Sequence, residues 1–206
     1  GDVAVIDELT RRLGAARFVL GGNSMGGGIA WNYALQHPER LDGLVLVDAG
    51  GWPHPRKAGG GSIFIFKLLG NPAGRWLLEH IDPTPLAERG LKQAYVNPAL
   101  VTPSLVRRYV DFSRAQGHKE ILLSQNSGPR APVTPATFAA IHTPTLVMVG
   151  AVDKVIPPDD SRGLAGAIPG AKLIVYPGVG HVPMEQIPDK SAADLKAFVD
   201  GLPTQR

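Results

Sequence analysis

Gly22-Asn23-Ser24-Met25-Gly26 constrains this chain more than any other stretch. The pentad follows an apolar run, Phe18-Val19-Leu20, and opens a segment with helical patterning. A Gly-x-Ser-x-Gly between a strand and a helix is a nucleophile elbow. A serine that attacks a carbonyl must stand on a sharp turn, with its hydroxyl clear of neighbouring side chains. Such a turn forces the serine into a strained backbone region. Side chains two residues before and after it are expected to crowd the turn, so both positions favour glycine. The helix behind the turn leaves its first N–H groups without partners, and these can stabilise an oxyanion. The Met25 N–H is the expected donor. The chain holds 25 glycines among 206 residues, so the pentad needs support from the rest of the sequence.

That support begins with the alternation of elements. Residues 2–14 read as a helix, with Val3, Ile6, Leu9 and Leu13 at helical spacing and Asp2 as the cap. Residues 17–21 read as a short buried strand and 24–36 as a helix with Ile29, Tyr33 and Ala34 inward, stopped before Pro38. Residues 41–49 read as a strand. Its run Leu44-Val45-Leu46-Val47 is apolar on both faces, as a covered parallel sheet requires. Residues 145–150 and 172–176 read as further strands, and 158–167 and 191–201 as helices, the last with Leu195, Phe198 and Val199 on one side. Strands alternating with helices at both ends of the chain predict an α/β fold, with a parallel sheet covered on both faces.

The middle of the chain breaks this pattern. From residue 52 to 140 there are many prolines, short helical pieces (63–69, 74–80, 86–95 and 104–114) and no convincing strand. An insertion of that length is too long for a loop. It reads as a helical cap between two core segments, 1–51 and 141–206.

Composition closes several functional classes. The absence of cysteine excludes disulfides, thiolate chemistry and cysteine-ligated metals. The formal charge is +3. Its basic residues are scattered, which is too little for a nucleic-acid footprint. No apolar stretch approaches membrane-span length, and no signal peptide is apparent. No ligand spacing such as His-Glu-x-x-His is present, and Gly59-Gly60-Gly61 lacks the lysine and preceding strand of a phosphate loop. Neither metal nor cofactor is expected.

A serine needs a base, and a histidine base works best when an acid orients it. Of six histidines, His181 stands out in Pro177-Gly178-Val179-Gly180-His181-Val182-Pro183, directly after a strand. Asp153, in Gly150-Ala151-Val152-Asp153, also follows a strand. Ser24, Asp153 and His181 would then all project at the carboxyl edge of one parallel sheet, where function is expected. Asp48 follows a strand as well and is the competing acid.

The order Ser…Asp…His resembles that of the α/β-hydrolase superfamily. The resemblance rests on Gly21-Gly22-Asn23-Ser24-Met25-Gly26-Gly27, Gly150-Ala151-Val152-Asp153 and Gly180-His181-Val182-Pro183-Met184-Glu185. His37-Pro38-Glu39-Arg40 followed by Leu44-Val45-Leu46-Val47-Asp48 adds to it. It implies an α/β-hydrolase fold with a helical cap, Ser24 as nucleophile, Asp153 as acid and His181 as base. Asp153 is preferred to Asp48 because its loop matches the family better. Serine at the elbow argues against haloalkane dehalogenases and epoxide hydrolases, which carry aspartate there.

Members of this superfamily begin with several strands before the elbow strand, whereas one helix precedes Phe18 here. The expectation is that this is the C-terminal part of a longer hydrolase, or a chain that pairs with a separate N-terminal fragment or a second copy. Strand 17–21 would then lie at an unprotected edge. The loop supplying a second oxyanion N–H would lie outside the chain, and one such donor is worth about 3 kcal/mol.

The resemblance implies a cytoplasmic serine hydrolase acting on a moderately apolar carboxylic ester. Asn23, Phe66, Trp76, Arg108 and Val182 are the expected substrate contacts. The alternative is a carbon–carbon bond hydrolase of the meta-cleavage product type, whose elbow Asn23-Ser24-Met25-Gly26-Gly27 resembles closely. Ala49-Gly50-Gly51 and the stretch Val101 to Arg108 are also similar to that group. That group carries a tryptophan where this chain has Val182, and its cap arginine falls beside Arg108, so esters lead and lactones stay open. A hydrolase-like binding module without catalysis is the remaining class.

Overall fold

The computed structural model describes residues 1–53, 82–117 and 132–203. They form two units. The first comprises Gly1–Pro53, Ala94–Val96 and Val133–Arg206, and the second His54–Gln93 and Asn97–Pro132.

The first unit is built on a parallel sheet of strands β1 (Phe18–Asn23), β2 (Leu41–Val47), β3 (Thr145–Gly150) and β4 (Lys172–Tyr176), in that spatial order. Period-two alternation sends neighbouring side chains to opposite faces. Leu44, Leu46 and Val147 pack on one face with Ala30, Trp31, Tyr33, Phe138 and Leu164. Val45, Leu146 and Met148 pack on the other with Tyr176, Val179 and Phe198. Helices cover both faces: α1 (Asp2–Arg12) and α2 (Met25–Gln36) precede β2, and later helices follow β3 and β4. Among the described residues β1 pairs with β2 alone. Beside β1 lies an apolar groove of about 460 Å³ lined by Val19, Val45, Val47, Met184, Leu195 and Val199, among others.

Sequence patterning locates these elements closely. β3, β4 and the helix at Pro158–Ala167 have the expected bounds. β2 stops at Val47, because Asp48 turns into the left-handed region at φ 43°. Gly1, not Asp2, is the N-cap of α1, so Asp2 lies in the first helical turn instead. There it complements the helix dipole. The inward face of α2 carries Ala30, Trp31, Tyr33 and Ala34, with Ile29 half-buried. α1 is anchored through Asp7, which accepts a hydrogen bond from the Tyr33 hydroxyl at 3.1 Å and pairs with Arg40 and Arg11. Burial, with Asp7 alongside, raises the Tyr33 pKa.

The described part of the second unit holds α3 (Thr84–Ala94), whose last residue belongs to the first unit, and α4 (Pro103–Ser113). Each start has a local cause. The Asp82 carboxylate accepts from the Thr84 hydroxyl at 2.7 Å and the Thr84 N–H at 3.0 Å, and these bonds lower its pKa. The Thr102 hydroxyl accepts from the Leu105 N–H at 3.2 Å, and Pro103 takes the first helical turn. The expected helical pieces at 63–69 and 74–80 lie outside the described residues.

The remaining helices of the first unit are α5 (Pro135–Ala139), α6 (Pro158–Ala167), α7 (Pro183–Gln186) and α8 (Pro188–Asp200). α8 begins earlier than apolar spacing indicates, because Pro188 is itself suited to the first helical turn. Only Phe198 of its apolar stripe is buried; Leu195 and Val199 face the groove beside β1. No described helix is long and apolar enough to cross a membrane.

Candidate active site

Ser24 stands between β1 and α2 at φ 54°, ψ −117°. A non-glycine residue there carries about 1–3 kcal/mol of strain, held only by what surrounds it. The surroundings are hydrogen bonds to the next strand, its loop and the first turn of α2. The Ser24 N–H donates to Val47 O at 3.0 Å, and Ser24 O accepts from the Gly50 N–H at 2.9 Å and the Gly28 N–H at 3.1 Å. Met25 is the first helical residue, so its N–H has no partner within the helix.

The glycines divide differently from expectation. A Cβ on Gly22 would overlap the backbone of Gly26 and Gly27, so Gly22 is required. A Cβ on Gly26 would meet nothing within 4 Å. The crowded position beyond the serine is Gly27, where a Cβ would lie 2.9 Å from the Ala49 Cα. Bare backbone at Gly27 lets α2 approach the end of β2.

Asp153 follows β3 and is held by the turn it starts. Its Oδ1 accepts from the Val155 N–H at 2.6 Å and the Ile156 N–H at 3.1 Å. Its Oδ2 lies 2.7 Å from His181 Nδ1, with side-chain exposures of 0% for Asp153 and 8% for His181. Two backbone N–H donors on one buried carboxyl favour the carboxylate, which can accept only from a protonated ring nitrogen. The imidazole therefore carries its proton on Nδ1, which leaves Nε2 as the basic nitrogen.

The two loops that carry this pair touch backbone to backbone. A Cβ on Gly150 would overlap Gly180 O, and the Val152 N–H donates to Val179 O at 3.1 Å. The histidine loop is held from two further directions. The His181 N–H donates to Ala94 O at 2.9 Å, and Tyr95 bonds through its hydroxyl to Glu185. From the elbow side, Asn23 Nδ2 donates to His181 O at 3.0 Å and Val47 O at 3.1 Å. Asn23, expected to touch substrate, thus commits its amide N–H groups to joining β1, β2 and the histidine loop. Sequence alone offered no signal for the Ala94–Val96 contact, which comes from inside the inserted region.

Val182 is buried at the N-cap of α7. Arg108 is exposed on α4 in the second unit, with its guanidinium 5.8 Å from the Phe112 ring centre. Phe66 and Trp76 lie outside the described residues.

Asp48 is 1% exposed. Its Oδ1 accepts from the Gly150 N–H at 3.0 Å, while its Oδ2 is buried with no hydrogen-bond partner. Burial, reinforced by Asp153, pushes its pKa up to about 8. Asp48, Asp153 and His181 offer atoms all within 4.8 Å of one another, the one such group among the described residues that could hold a cation. N–H donors already occupy the Asp153 oxygens.

Residues 2–186 match the family model of the alpha/beta hydrolase fold, and the chain belongs to that family. It is 30% identical over 204 residues to Lipase 3 of a Moraxella species, covering 96% of this chain and 61% of the relative. It is 32% identical over 179 residues to a 2-hydroxy-6-oxo-6-phenylhexa-2,4-dienoate hydrolase of Burkholderia cepacia, covering 82% of this chain and 58% of the relative. The chain thus spans about three fifths of the length of these curated relatives. Among solved structures, a meta-cleavage product hydrolase (CumD) from Pseudomonas fluorescens IP01 superposes with a TM-score of 0.77 at 24% identity, covering 96% of this chain and 70% of that one. A thermophilic esterase from Thermogutta terrifontis gives 0.75 at 23% identity, covering 95% and 69%. At these identities the structural likeness speaks for the fold.

Proposed function

We propose that the protein is a serine hydrolase that cleaves carboxylic esters through an acyl-enzyme on Ser24. His181 is the base and Asp153 the acid that orients it. The observation that carries this reading is the buried 2.7 Å contact between His181 Nδ1 and Asp153 Oδ2, in a unit that also holds Ser24 at a strained elbow. Ser24 Oγ attacks the ester carbonyl, and its proton passes to His181 Nε2. The tetrahedral oxyanion takes the Met25 N–H. The imidazolium returns the proton to the leaving alcohol, and water then repeats the sequence on the acyl-enzyme.

The test is the intact mass before and after a fluorophosphonate, together with turnover of a short-chain nitrophenyl ester. One adduct on Ser24, and turnover abolished by Ser24→Ala, is the expected result. An unlabelled protein without turnover refutes the reading and leaves a binding module.

A second reading, hydrolysis of a carbon–carbon bond in a dienoate, has one observation in its favour. The Burkholderia relative at 32% identity is named for that activity. Arg108→Ala separates the two, because a cationic contact matters for a carboxylate-bearing dienoate and not for a neutral ester. Equal effects on both substrates remove the carbon–carbon reading.

A further inference from the structure

We propose that Asp48 is a positioning residue, held as a neutral carboxylic acid whose Oδ2–H donates a hydrogen bond to the Asp153 carboxylate. The inference rests on the reading of Asp153 and His181 as an acid–base pair.

Two buried carboxyl groups this close do not both ionise. Which of them keeps the proton follows from their partners. Asp153 accepts from two backbone N–H groups, those of Val155 and Ile156, and lies 2.7 Å from His181 Nδ1. Asp48 accepts from one, that of Gly150. The charged form is therefore favoured on Asp153 and the neutral form on Asp48. The same assignment resolves the orphaned oxygen. As an acceptor, Asp48 Oδ2 is a buried atom with nothing to bond, which is costly. As a hydroxyl it can turn to Asp153, which offers an oxygen within 4.8 Å of the Asp48 carboxyl. Burial and the charge of Asp153 act in that direction on Asp48. The other titratable groups acting here are His181 and, on β4, Tyr176, itself held neutral by burial and its bond to Asp194.

The backbone at Asp48 serves the same end. At φ 43° aspartate and asparagine are tolerated better than most residues. The turn aims the carboxyl back across the sheet edge toward β3. A hydrogen bond donated to Asp153 makes that carboxylate a weaker base. The proton then stays on His181 Nδ1, and the carboxylate keeps one rotation.

The experiment follows the His181 imidazole by NMR across a pH titration, in the wild type, Asp48→Asn and Asp48→Ala, with its signal assigned by His181→Gln. Asn preserves the neutral charge, the acceptor for Gly150 and a donor for Asp153. We expect its His181 pKa within about 0.3 of the wild type. Asp48→Ala removes the donor, strengthens Asp153 as a base and raises the His181 pKa by about half a unit or more. A fall of more than about one unit in Asp48→Asn means that a negative charge was lost, and overturns the proposal. So does an unchanged His181 pKa in Asp48→Ala alongside a lower Tm, which is a purely structural role. If Asp48→Ala does not fold, Asp48→Asn still decides. Fluorophosphonate labelling of the wild type is read separately. Absence of an adduct sinks the hydrolase reading, whereas the titration judges Asp48 by itself.

Discussion

Replacing Asn23 tests whether its amide joins three segments. Nδ2 donates to Val47 O at 3.1 Å and His181 O at 3.0 Å, the second spanning 158 residues of sequence. Asn23→Ala removes both bonds. Val47 O keeps the Ser24 N–H, whereas His181 O loses its tie to the elbow strand. At roughly 1 kcal/mol net for each bond, the expected destabilisation is about 2 kcal/mol. For a chain of this length that corresponds to a fall in Tm of about 4–8 °C. Asn23→Asp is the sharper variant. It preserves shape but aims a carboxylate at two carbonyl oxygens, and it should cost more than Ala at neutral pH. Part of that loss should return in acid, where a protonated carboxyl can donate. Urea unfolding followed by circular dichroism reads both proteins. A loss below about 0.5 kcal/mol in Asn23→Ala, or an Asn23→Asp variant no less stable than Asn23→Ala at neutral pH, refutes the reasoning. Slower fluorophosphonate labelling of Ser24 should accompany the loss, because the histidine loop is then held less firmly.

Asp153→Asn should lower kcat on a nitrophenyl ester by about 10³–10⁴-fold, through loss of the correct imidazole tautomer; a tenfold effect or less argues for another acid. Gly150→Ala forces a Cβ against Gly180 O and should cost at least about 2 kcal/mol. Gly26→Ala meets open space within a helix and should stabilise by up to about 1 kcal/mol, both read from Tm. Asp48 predicts a pH dependence, since its folded pKa of about 8 exceeds the ordinary 3.8. Below about pH 4 folded and unfolded chains both hold the proton; between there and about pH 8 only the folded chain does. Its stabilising effect is therefore full in acid and fades as pH rises, by up to about 1.4 kcal/mol per unit. The stability difference between wild type and Asp48→Asn, followed from pH 4 to 8 by urea unfolding, should slope downward; a flat difference contradicts the raised pKa.

Local patterns made much of this chain legible. Runs such as Leu44-Val45-Leu46-Val47 and Leu146-Val147-Met148-Val149 are apolar on both faces, and only a covered parallel sheet buries both. Each of Ser24, Asp153 and His181 follows a parallel strand, so the carboxyl edge of the sheet brings them to one side whatever the connections do. The turn at Ser24 was readable because its strain leaves a local trace, glycine at position 22.

Other features have no trace in neighbouring residues, because they depend on contacts between distant segments. Gly26 looks as constrained as Gly22 in sequence, yet Ala49 crowds only its neighbour Gly27. Asn23 reads from sequence as a substrate contact, and nothing near it in the chain announces its bond to His181 O at 3.0 Å. The anchoring of the histidine loop on Ala94 is a backbone hydrogen bond within the first unit, which no side chain encodes. Asp48 and Asp153 are both acids after strands, and composition cannot divide their roles. The sequence by itself determined the layered α/β architecture with its covered parallel sheet, since hydrophobic period and turn chemistry are properties of short segments. The tertiary structure decided how many N–H donors reach each buried carboxyl, because that number exists only once β2, β3 and their loops are side by side.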